Sequence, residues 1–355
     1  MNSDSPKVTV LMSVYNGENY LKEAIESILN QTFRDFEFII INDGSTDSTG
    51  DILARYQQVD NRILVYKQEN RGLIASLNRG CQLAKGKYIA RMDADDISLP
   101  ERLAREVNYL ETHPDIGVLG TWMEYIDENS VPQNKLCAPT TPNLIKWFLL
   151  FGCPVAHPSV MIRRDTIETL GLYRPEALHA EDYDLWSRAS LITRITNMPE
   201  ILLQYRTWEG NISSRQFQIK EQSAVRIMHS TITRLLGPEV PLEEISSLRR
   251  VLVGLPLDNP QQIDRVVTLV QQLYRAYLNT NSLSPAETRE VAQDAGMRLL
   301  TLAASTTKIS PQMRFFILAR ALRLSPSLFW SRRVITKGVK KAVRMLMTGL
   351  ERRPR

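Results

Sequence analysis

Residues 87–103, the most informative part of the chain, read Lys-Tyr-Ile-Ala-Arg-Met-Asp-Ala-Asp-Asp-Ile-Ser-Leu-Pro-Glu-Arg-Leu. The first part of this stretch is an apolar run typical of a buried strand over 88–92, which stops at three carboxylates, Asp93, Asp95 and Asp96. Three acids at the carboxyl end of a strand repel one another unless a cation lies among them. Because Mg²⁺ and Mn²⁺ prefer oxygen ligands and share them with phosphates, the stretch predicts a divalent-metal site.

Strand and helix signals alternate through the first hundred residues. Ser98 and Glu101 have the spacing of a capping box and Pro100 falls in the first turn, which predicts a helix immediately after the acids. Apolar runs at 8–14, 36–41, 62–66 and 88–92 alternate with amphipathic patterns at 20–29, 48–58 and 73–84. This alternation predicts an α/β fold, a mostly parallel sheet flanked by helices, in which ligands bind at the carboxyl ends of the strands.

The rest of the chain changes character twice. Residues 117–206 mix strand and loop signals, with a helix predicted at 181–192. After about residue 216 only helical patterns continue, at 218–236, 243–253, 260–279, 285–305 and 311–324. We therefore predict an α/β domain, an all-helical C-terminal domain and a short tail, over residues 1–214, 215–327 and 328–355.

The positive charge of the chain is concentrated in the tail. The 355 residues carry a net charge of +5, but residues 328–355 alone contribute +8, which leaves −3 for the rest. This distribution argues against a nucleic-acid-binding body and favours an anionic partner for the tail.

Residues 331–350 have an amphipathic pattern. On a helix, the apolar face consists of Ile335, Val339, Ala342, Val343, Leu346 and Leu350, opposite Arg333, Lys337, Lys340, Lys341 and Arg344. Spanning a bilayer would bury six cations, at roughly 2.5–3.5 kcal/mol each near the centre. We therefore predict that the tail lies in the interface of an anionic membrane. A helix packed on the domain with a solvated basic face has the same pattern.

Cysteine usage and the N-terminus indicate a compartment. Cys81, Cys137 and Cys153 are widely spaced and odd in number, which fits a reducing compartment better than a disulfide framework or a zinc cluster. The N-terminus lacks a secretory signal pattern, and no apolar run is long enough to span a bilayer. We expect a cytoplasmic protein, peripheral on the cytosolic face of the membrane.

Five motifs follow one another in the first two thirds of the chain. They are Val10-Leu-Met-Ser-Val-Tyr-Asn-Gly, Ile41-Asn-Asp-Gly-Ser-Thr-Asp, Asn70-Arg-Gly-Leu, Asp93-Ala-Asp-Asp and Glu181-Asp-Tyr-Asp-Leu-Trp. Together they resemble the motifs of the family 2 glycosyltransferases, inverting enzymes on the GT-A fold. The resemblance covers roughly residues 7–210, implies a GT-A-like catalytic domain there, and says little about residues 216–355.

The resemblance implies a nucleotide-sugar site at the ends of the strands. The residues it assigns to that site are Val14, Tyr15, Asn16, Asp43, Arg71, Gly72, Asp93, Ala94 and Asp96. The loop after the first strand would hold a uracil-type base by backbone contacts. Asp43 would accept the imide N–H of a pyrimidine, which favours UDP- or TDP-linked donors, although Asp-Gly is also a common turn pair. Arg71 beside a helix N-terminus fits a pyrophosphate, and a solvated arginine remains an alternative.

The same resemblance assigns roles to the acids after the fourth strand. Asp95 would bind the metal ion, Mn²⁺ or Mg²⁺, and Asp93 the ribose or a metal-bound water. Asp96 would lie near the donor sugar. His157 would lie close to the metal or the acceptor, although a structural histidine at a strand edge fits equally well. A solvated acidic loop is the alternative for the acids.

A second acidic pair opens the helix predicted at 181–192. In the resemblance, Asp182 is the general base that takes the proton of the acceptor hydroxyl, and Glu181 is the alternative base. Carboxylates at a helix start are also explained by simple interaction with the helix dipole.

The sequence thus predicts an inverting, metal-dependent glycosyltransferase. It would move a sugar from a nucleoside-diphosphate donor to a hydroxyl of a glycan or lipid-linked glycan in surface polysaccharide biosynthesis. One alternative is a nucleotidyltransferase that makes the nucleotide-sugar, but the loop Tyr15-Asn-Gly-Glu-Asn lacks the basic residue expected for binding a triphosphate. The other alternative is a non-catalytic glycan-binding protein.

Overall fold

The computed structural model describes residues 5–208, 216–257, 259–305 and 310–330. Contacts divide the chain into two compact units, Met1–Ile227 and Met228–Arg355. The domain boundary predicted near Ser214 and residues 331–355 of the predicted tail lie outside the described residues, so the three-segment division stays a prediction.

The first unit alternates strands and helices. Its strands are β1 (Val8–Val14), β2 (Phe36–Asp43), β3 (Ile63–Gln68), β4 (Tyr88–Asp93), β5 (Ile97–Ser98), β6 (Ile116–Ile126), β7 (Pro132–Leu136), β8 (Met161–Arg163) and β9 (Arg194–Arg206). Its helices are α1 (Leu21–Leu29), α2 (Thr49–Val59), α3 (Leu73–Leu83), α4 (Arg102–Thr112), α5 (Pro142–Phe148), α6 (Arg164–Thr169) and α7 (Glu181–Ala189). Helix α8 (Phe217–Leu236) begins in this unit and ends in the second.

Within the described residues, the nine strands form one mixed sheet in the order β3-β2-β1-β4-β8-β6-β9-β5, with β7 paired to β6. Strand β1 is parallel to β2 and β4, and β2 is parallel to β3. Strand β8 is antiparallel to both of its neighbours, β4 and β6. This sheet, flanked by helices, confirms the predicted fold class.

Burial explains why the apolar runs form strands. All eight residues of β2 are buried, as expected for an inner strand with both faces covered. Helix α1 turns one face to the core, with Leu21, Ala24, Ile25 and Ile28 buried in the same cluster as the strands.

The predicted capping box after the acids is wrong. Ser98 lies in β5, and α4 begins after Glu101, whose side chain makes no capping hydrogen bond. The cap comes from Gln31, whose Oε1 accepts the N–H of Leu103 at 3.0 Å. Gln31 lies in a distant part of the sequence, and the local pattern therefore could not reveal this contact.

The second unit is helical in its described residues. Its elements are the end of α8, then α9 (Leu242–Leu252), α10 (Pro260–Thr280), α11 (Pro285–Ser305), α12 (Pro311–Leu324) and a 3₁₀ turn at Pro326–Trp330. Helix α10 buries Ile263, Val266, Val267, Val270, Leu273 and Tyr277. The predicted helical C-terminal region is confirmed. None of the described helices combines the length and apolarity needed to cross a bilayer.

Candidate active site

The carboxyl ends of β1 to β4 meet at one edge of the sheet. Ser13 of β1 is in register with Asp93 of β4, and Asp43 of β2 is in register with Gln68 of β3. The loops that follow these strands are therefore neighbours, and the residues predicted from the first four motifs lie in or beside them.

The loop after β1 is tied to the loop after β2. Asn16 has a left-handed backbone, with φ of 51°. Its N–H donates to Ser45 Oγ at 3.0 Å, and its Oδ1 accepts the N–H of Thr46 at 2.8 Å. Val14 is buried, whereas Tyr15 is 53% exposed. Asn16 thus holds the loops together, and Tyr15 is the side chain open to a ligand.

The carboxylate of Asp43 accepts hydrogen bonds from the backbone at the start of α3. It is 3% exposed, and its Oδ1 accepts from Gln68 Nε2 at 2.7 Å and from the N–H of Arg71 at 2.9 Å. Its Oδ2 accepts the N–H of Gly72 at 2.8 Å. A carboxylate has about four acceptor positions, so three of them are used within the chain. The contact of Asp43 with a base stays a prediction.

The turn after β2 requires glycine at position 44. Its φ is +78°, and a Cβ there would lie 2.7 Å from the backbone N of Asn70. This close approach places the loop that carries Arg71 against the end of β2. The Arg71 side chain is exposed, whereas the N–H of Gly72 already binds Asp43.

Residues 93–96, the acid turn, begin beside a buried arginine. Arg91 is 6% exposed although it lies in β4, and its Nη1 forms a close ion pair with Asp93 Oδ2. Its Nε has no hydrogen-bond partner. An arginine inside an apolar strand was a visible signal in the sequence for a buried anionic partner, and sequence reasoning assigned it no role.

Burial and neighbouring charge raise the pKa values of the other two acids of the turn, Asp95 and Asp96. Burial and the charge of Asp93 raise the pKa of Asp95 to about 6. Asp96 is 1% exposed, and burial together with the charges of Asp93 and Asp95 raises its pKa. Its Oδ2 has no hydrogen-bond partner. A cation at the turn would relieve this repulsion.

The end of β9 binds the acid turn from the other side. The N–H of Arg206 donates to Asp96 Oδ1 at 2.9 Å, and its Nε donates to the carbonyl of Asp95 at 2.8 Å. Trp208 Nε1 donates to Asp95 Oδ2 at 2.9 Å. Arg206 is 1% exposed and also pairs with Glu23 of α1. Sequence reasoning missed Arg206.

The predicted catalytic pair lies at the start of α7. Burial, and then the charge of Asp182, raise the pKa of Glu181 to about 7. Burial also raises the pKa of Asp182, opposed by the N–H of Tyr183 and by Lys220. Asp182 Oδ1 accepts that N–H at 2.7 Å, and Cys153 Sγ donates to Oδ2 at 3.5 Å. A raised pKa fits a carboxylate that accepts a proton near neutral pH.

The acid turn and the start of α7 are within electrostatic range of each other. The ring of His157 lies 6.0 Å from that of Trp186 in α7, and His157 opens the short turn before Val160, whose carbonyl accepts the N–H of Arg91 at 2.9 Å. The charge of Arg91 lowers the pKa of both Glu181 and Asp182, and the charge of Asp93 raises that of Glu181. Because such interactions weaken with distance, the fold has brought together two acidic groups that are far apart in sequence.

His157 is buried against Tyr173 and Trp186. It is 7% exposed, and its Nε2 is 2.9 Å from the hydroxyl of Tyr173. Burial and the charge of Arg91 lower its pKa, which keeps the imidazole neutral. A neutral imidazole is the metal-binding form, but one ring nitrogen already has a partner. Its role at a metal stays a prediction.

The acid turn fits an open metal site rather than a closed one. Within the described residues, no three His, Cys, Asp or Glu side chains converge to enclose an ion. Asp96 keeps an oxygen without a partner, and Asp95 is held with a raised pKa. Mg²⁺ sites that also bind phosphates commonly use only one or two carboxylates, so the residues present are sufficient.

Proteins of known family resemble this chain in sequence. The family described as Glycosyl transferase family 2 matches residues 9–170. The chain is 40% identical over 209 residues to the uncharacterized glycosyltransferase MJ1057 of Methanocaldococcus jannaschii, covering 57% of this chain and 71% of that protein. It is 37% identical over 203 residues to the O-antigen biosynthesis glycosyltransferase WbnJ of Escherichia coli, covering 56% and 79%.

Solved structures share the fold. TarS 1-349 of S. aureus, in complex with UDP-GlcNAc, aligns with a TM-score of 0.56 at 20% identity, over 91% of this chain and 92% of that one. The mannosyltransferase PcManGT from Pyrobaculum calidifontis, in complex with GDP-Man and Mn²⁺, aligns with a TM-score of 0.52 at 18% identity, over 93% and 89%. The fold is therefore the GT-A fold, and with the sequence matches it follows that this chain is a glycosyltransferase of family 2.

Proposed function

We propose that the enzyme transfers one sugar from a nucleoside-diphosphate donor to a hydroxyl of a glycan or lipid-linked glycan, with inversion and with help from a divalent metal ion. The observation that carries this proposal is the position of Arg91 near two acidic groups. Arg91 pairs with Asp93 of the acid turn, and its charge also acts on Glu181 and Asp182 at the start of α7. The acid turn would bind the metal ion and the departing nucleotide. The pair Glu181 and Asp182 would take the proton of the acceptor hydroxyl.

The acid turn is the proposed metal and donor site. Asp95 would hold Mn²⁺ or Mg²⁺, with Asp93 beside it, His157 as a further predicted ligand and Asp96 near the donor sugar. A bound ion would act as a Lewis acid on the diphosphate and stabilise the charge of the leaving nucleotide. The complex of PcManGT with GDP-Man and Mn²⁺ supports this assignment.

Asp182 is the proposed general base. The N–H of Tyr183 and the thiol of Cys153 fix its carboxylate, and its raised pKa strengthens it as a proton acceptor. A single base opposite the leaving group suffices for direct displacement, which inverts the anomeric centre. Glu181 is the alternative base.

The loops after β1 and β2 are the proposed nucleotide site. Val14, Tyr15 and Asn16 would contact the base by their backbone, and the exposed Arg71 side chain would contact the diphosphate. The UDP-GlcNAc in TarS supports a uridine donor, whereas the GDP-Man in PcManGT shows a guanosine donor on the same fold. The name of WbnJ supports a role in surface polysaccharide assembly.

A panel of donors tests the reaction class. We expect slow hydrolysis of a UDP- or TDP-linked sugar that releases nucleoside diphosphate, proceeds with Mn²⁺ and stops in EDTA, because the leaving group needs charge stabilisation. Chromatography of the nucleotide products measures this release. Preference for a GDP-linked sugar would contradict the donor assignment, and pyrophosphate formed from a nucleoside triphosphate would identify a nucleotidyltransferase.

The basic tail, residues 328–355, is a proposed membrane contact that rests on sequence alone, and its nine Lys and Arg residues all follow Trp330. Each cation near an anionic surface contributes about 1 kcal/mol, so a chain ending at Trp330 is expected to lose co-sedimentation with phosphatidylserine vesicles. The truncation keeps Leu328, which is 1% exposed. A second variant keeps the full chain and replaces Lys340, Lys341 and Arg344 by Glu, which reverses the charge of the tail without shortening it. Undiminished sedimentation of both variants would show that the tail is not the anchor.

A further inference from the structure

Trp208 also contacts the acid turn, and this contact has no role in the reaction proposed above. Its indole Nε1 donates to Asp95 Oδ2 at 2.9 Å. Its ring packs edge-on against Tyr20, with the centroids 5.4 Å apart and the planes at 65°. The guanidinium of Arg206 lies over the ring of Tyr20, 4.4 Å from its centroid. The indole is therefore held in place by its own packing.

Asp95 and Asp96 of the acid turn each accept a hydrogen bond from the end of β9 or from the residues just after it. One oxygen of Asp96 accepts the N–H of Arg206, and the other has no hydrogen-bond partner. One oxygen of Asp95 accepts the indole N–H of Trp208, which engages a single oxygen of the carboxylate. The terminal carboxylate torsion of aspartate is broad, so a fixed donor on one oxygen restricts where the other oxygen lies.

The chemistry of indole excludes a direct role at a metal ion. Its N–H is a donor only and has no lone pair for a cation. A donor on one carboxylate oxygen therefore leaves the opposite oxygen of Asp95 as the ligand, in an orientation set before the ion arrives. Pre-organised ligands bind more tightly because less freedom is lost on binding.

We propose that Trp208 is a positioning residue of the cation site, which orients Asp95 by holding its Oδ2. This proposal rests on the metal-assisted donor binding proposed above. It assigns Trp208 no contact with the sugar and no part in proton transfer.

Trp208→Phe tests the proposal, because phenylalanine keeps an aromatic ring against Tyr20 and removes only the N–H. Trp122→Phe is the matched control, since Trp122 Nε1 also donates one hydrogen bond, to the carbonyl of Ala138 at 2.9 Å. The affinity for Mn²⁺ is measured by electron paramagnetic resonance in the presence of whichever of UDP, TDP and GDP binds the unaltered chain most tightly. Trp208→Phe is expected to weaken Mn²⁺ binding about tenfold, the equivalent of about 1.4 kcal/mol. Trp122→Phe is expected to leave it unchanged.

Three further readouts separate positioning from a purely structural role. Nucleotide binding in EDTA and the thermal midpoint are expected to be the same in Trp208→Phe and Trp122→Phe. Mn²⁺ is also expected to quench tryptophan fluorescence in the unaltered chain and in Trp122→Phe more strongly than in Trp208→Phe, which lacks the indole beside Asp95.

The outcomes are distinct. Unchanged Mn²⁺ affinity in Trp208→Phe would overturn the proposal, and so would tighter binding, which would show that the indole competes with the ion. If Trp208→Phe lost nucleotide affinity in EDTA by as much as it lost Mn²⁺ affinity, the proposal would also be overturned, since the effect would then be structural. If the unaltered chain binds every nucleotide equally with and without Mn²⁺, the proposed function fails first.

Discussion

Asp182→Asn is expected to lower the rate of sugar transfer by about 10³-fold and to leave nucleotide affinity nearly intact. A positioned general base contributes about 10²–10⁴ to the rate, and asparagine cannot take the proton of the acceptor hydroxyl. The amide still accepts the N–H of Tyr183, so the start of α7 keeps its structure. Initial rates at saturating donor and acceptor measure the first effect, and calorimetry with nucleoside diphosphate and Mn²⁺ measures the second.

Asp184→Asn is the matched control for this loss. Asp184 lies in the same helical turn, but its carboxylate accepts from Arg188 Nε at 2.8 Å and has no role in the proposed reaction. Its replacement is expected to leave the rate within a few-fold of the unaltered enzyme. Transfer by Asp182→Asn at a similar rate would remove the assignment, and a comparable loss confined to Glu181→Gln would transfer the role of base to Glu181.

The pH profile separates the two acids independently. The base acts only when ionised, so the rate rises with pH, and the raised pKa of Asp182 places this rise above its ordinary value of 3.8. Lys220→Gln removes a charge that lowers that pKa, so the rise moves to higher pH. The charges that act most on Glu181 are those of Asp182, Arg91 and Asp93. If Glu181 is the base, the rise lies near pH 7, and Lys220→Gln moves it less because Lys220 acts on Glu181 only through Asp182.

Asp95→Ala is expected to lower turnover by about 10²–10³-fold, the range seen when one group that stabilises transition-state charge is removed. The variant loses the carboxylate proposed to hold the metal ion, so the charge on the leaving nucleotide is no longer offset. Its protein stability is not expected to fall, because burial and the charge of Asp93 make the ionised carboxylate unfavourable in the unloaded site. Turnover with Mn²⁺ and thermal unfolding are the two measurements.

Asp51→Ala is the control for Asp95→Ala. Asp51 is an exposed acid in the first turn of α2 and has no proposed role. Asp51→Ala also removes one negative charge, and it is expected to keep full turnover. Equal turnover in Asp95→Ala, Asp51→Ala and the unaltered enzyme would contradict the metal assignment.

Local patterns were sufficient for the scaffold and for the position of the acids. Strands such as β2 are buried on both faces, so their composition alone marks them, and each acid-bearing loop begins where such a run ends. The four parallel strands then bring those loops to one edge by topology. The sequence therefore predicted which loops meet at that edge, and their roles in binding and catalysis stay predictions.

Long-range contacts were outside the reach of the sequence. Gln31 caps α4, and Arg206 binds both the carbonyl of Asp95 and the carboxylate of Asp96. Nothing near either residue in the sequence marks these partners. Asp43 shows the same limit, because its motif indicated a ligand contact while the fold also uses it to fix the start of α3.

Calorimetric titration of UDP, TDP and GDP into the unaltered enzyme, once with Mn²⁺ and once with EDTA, shows whether a divalent ion assists nucleotide binding. If a divalent ion at the acid turn offsets the charge of the nucleotide, at least one diphosphate binds about tenfold or more tightly with Mn²⁺, and Asp95→Ala abolishes the difference. Identical affinities under both conditions, together with normal turnover of Asp95→Ala, would contradict the account.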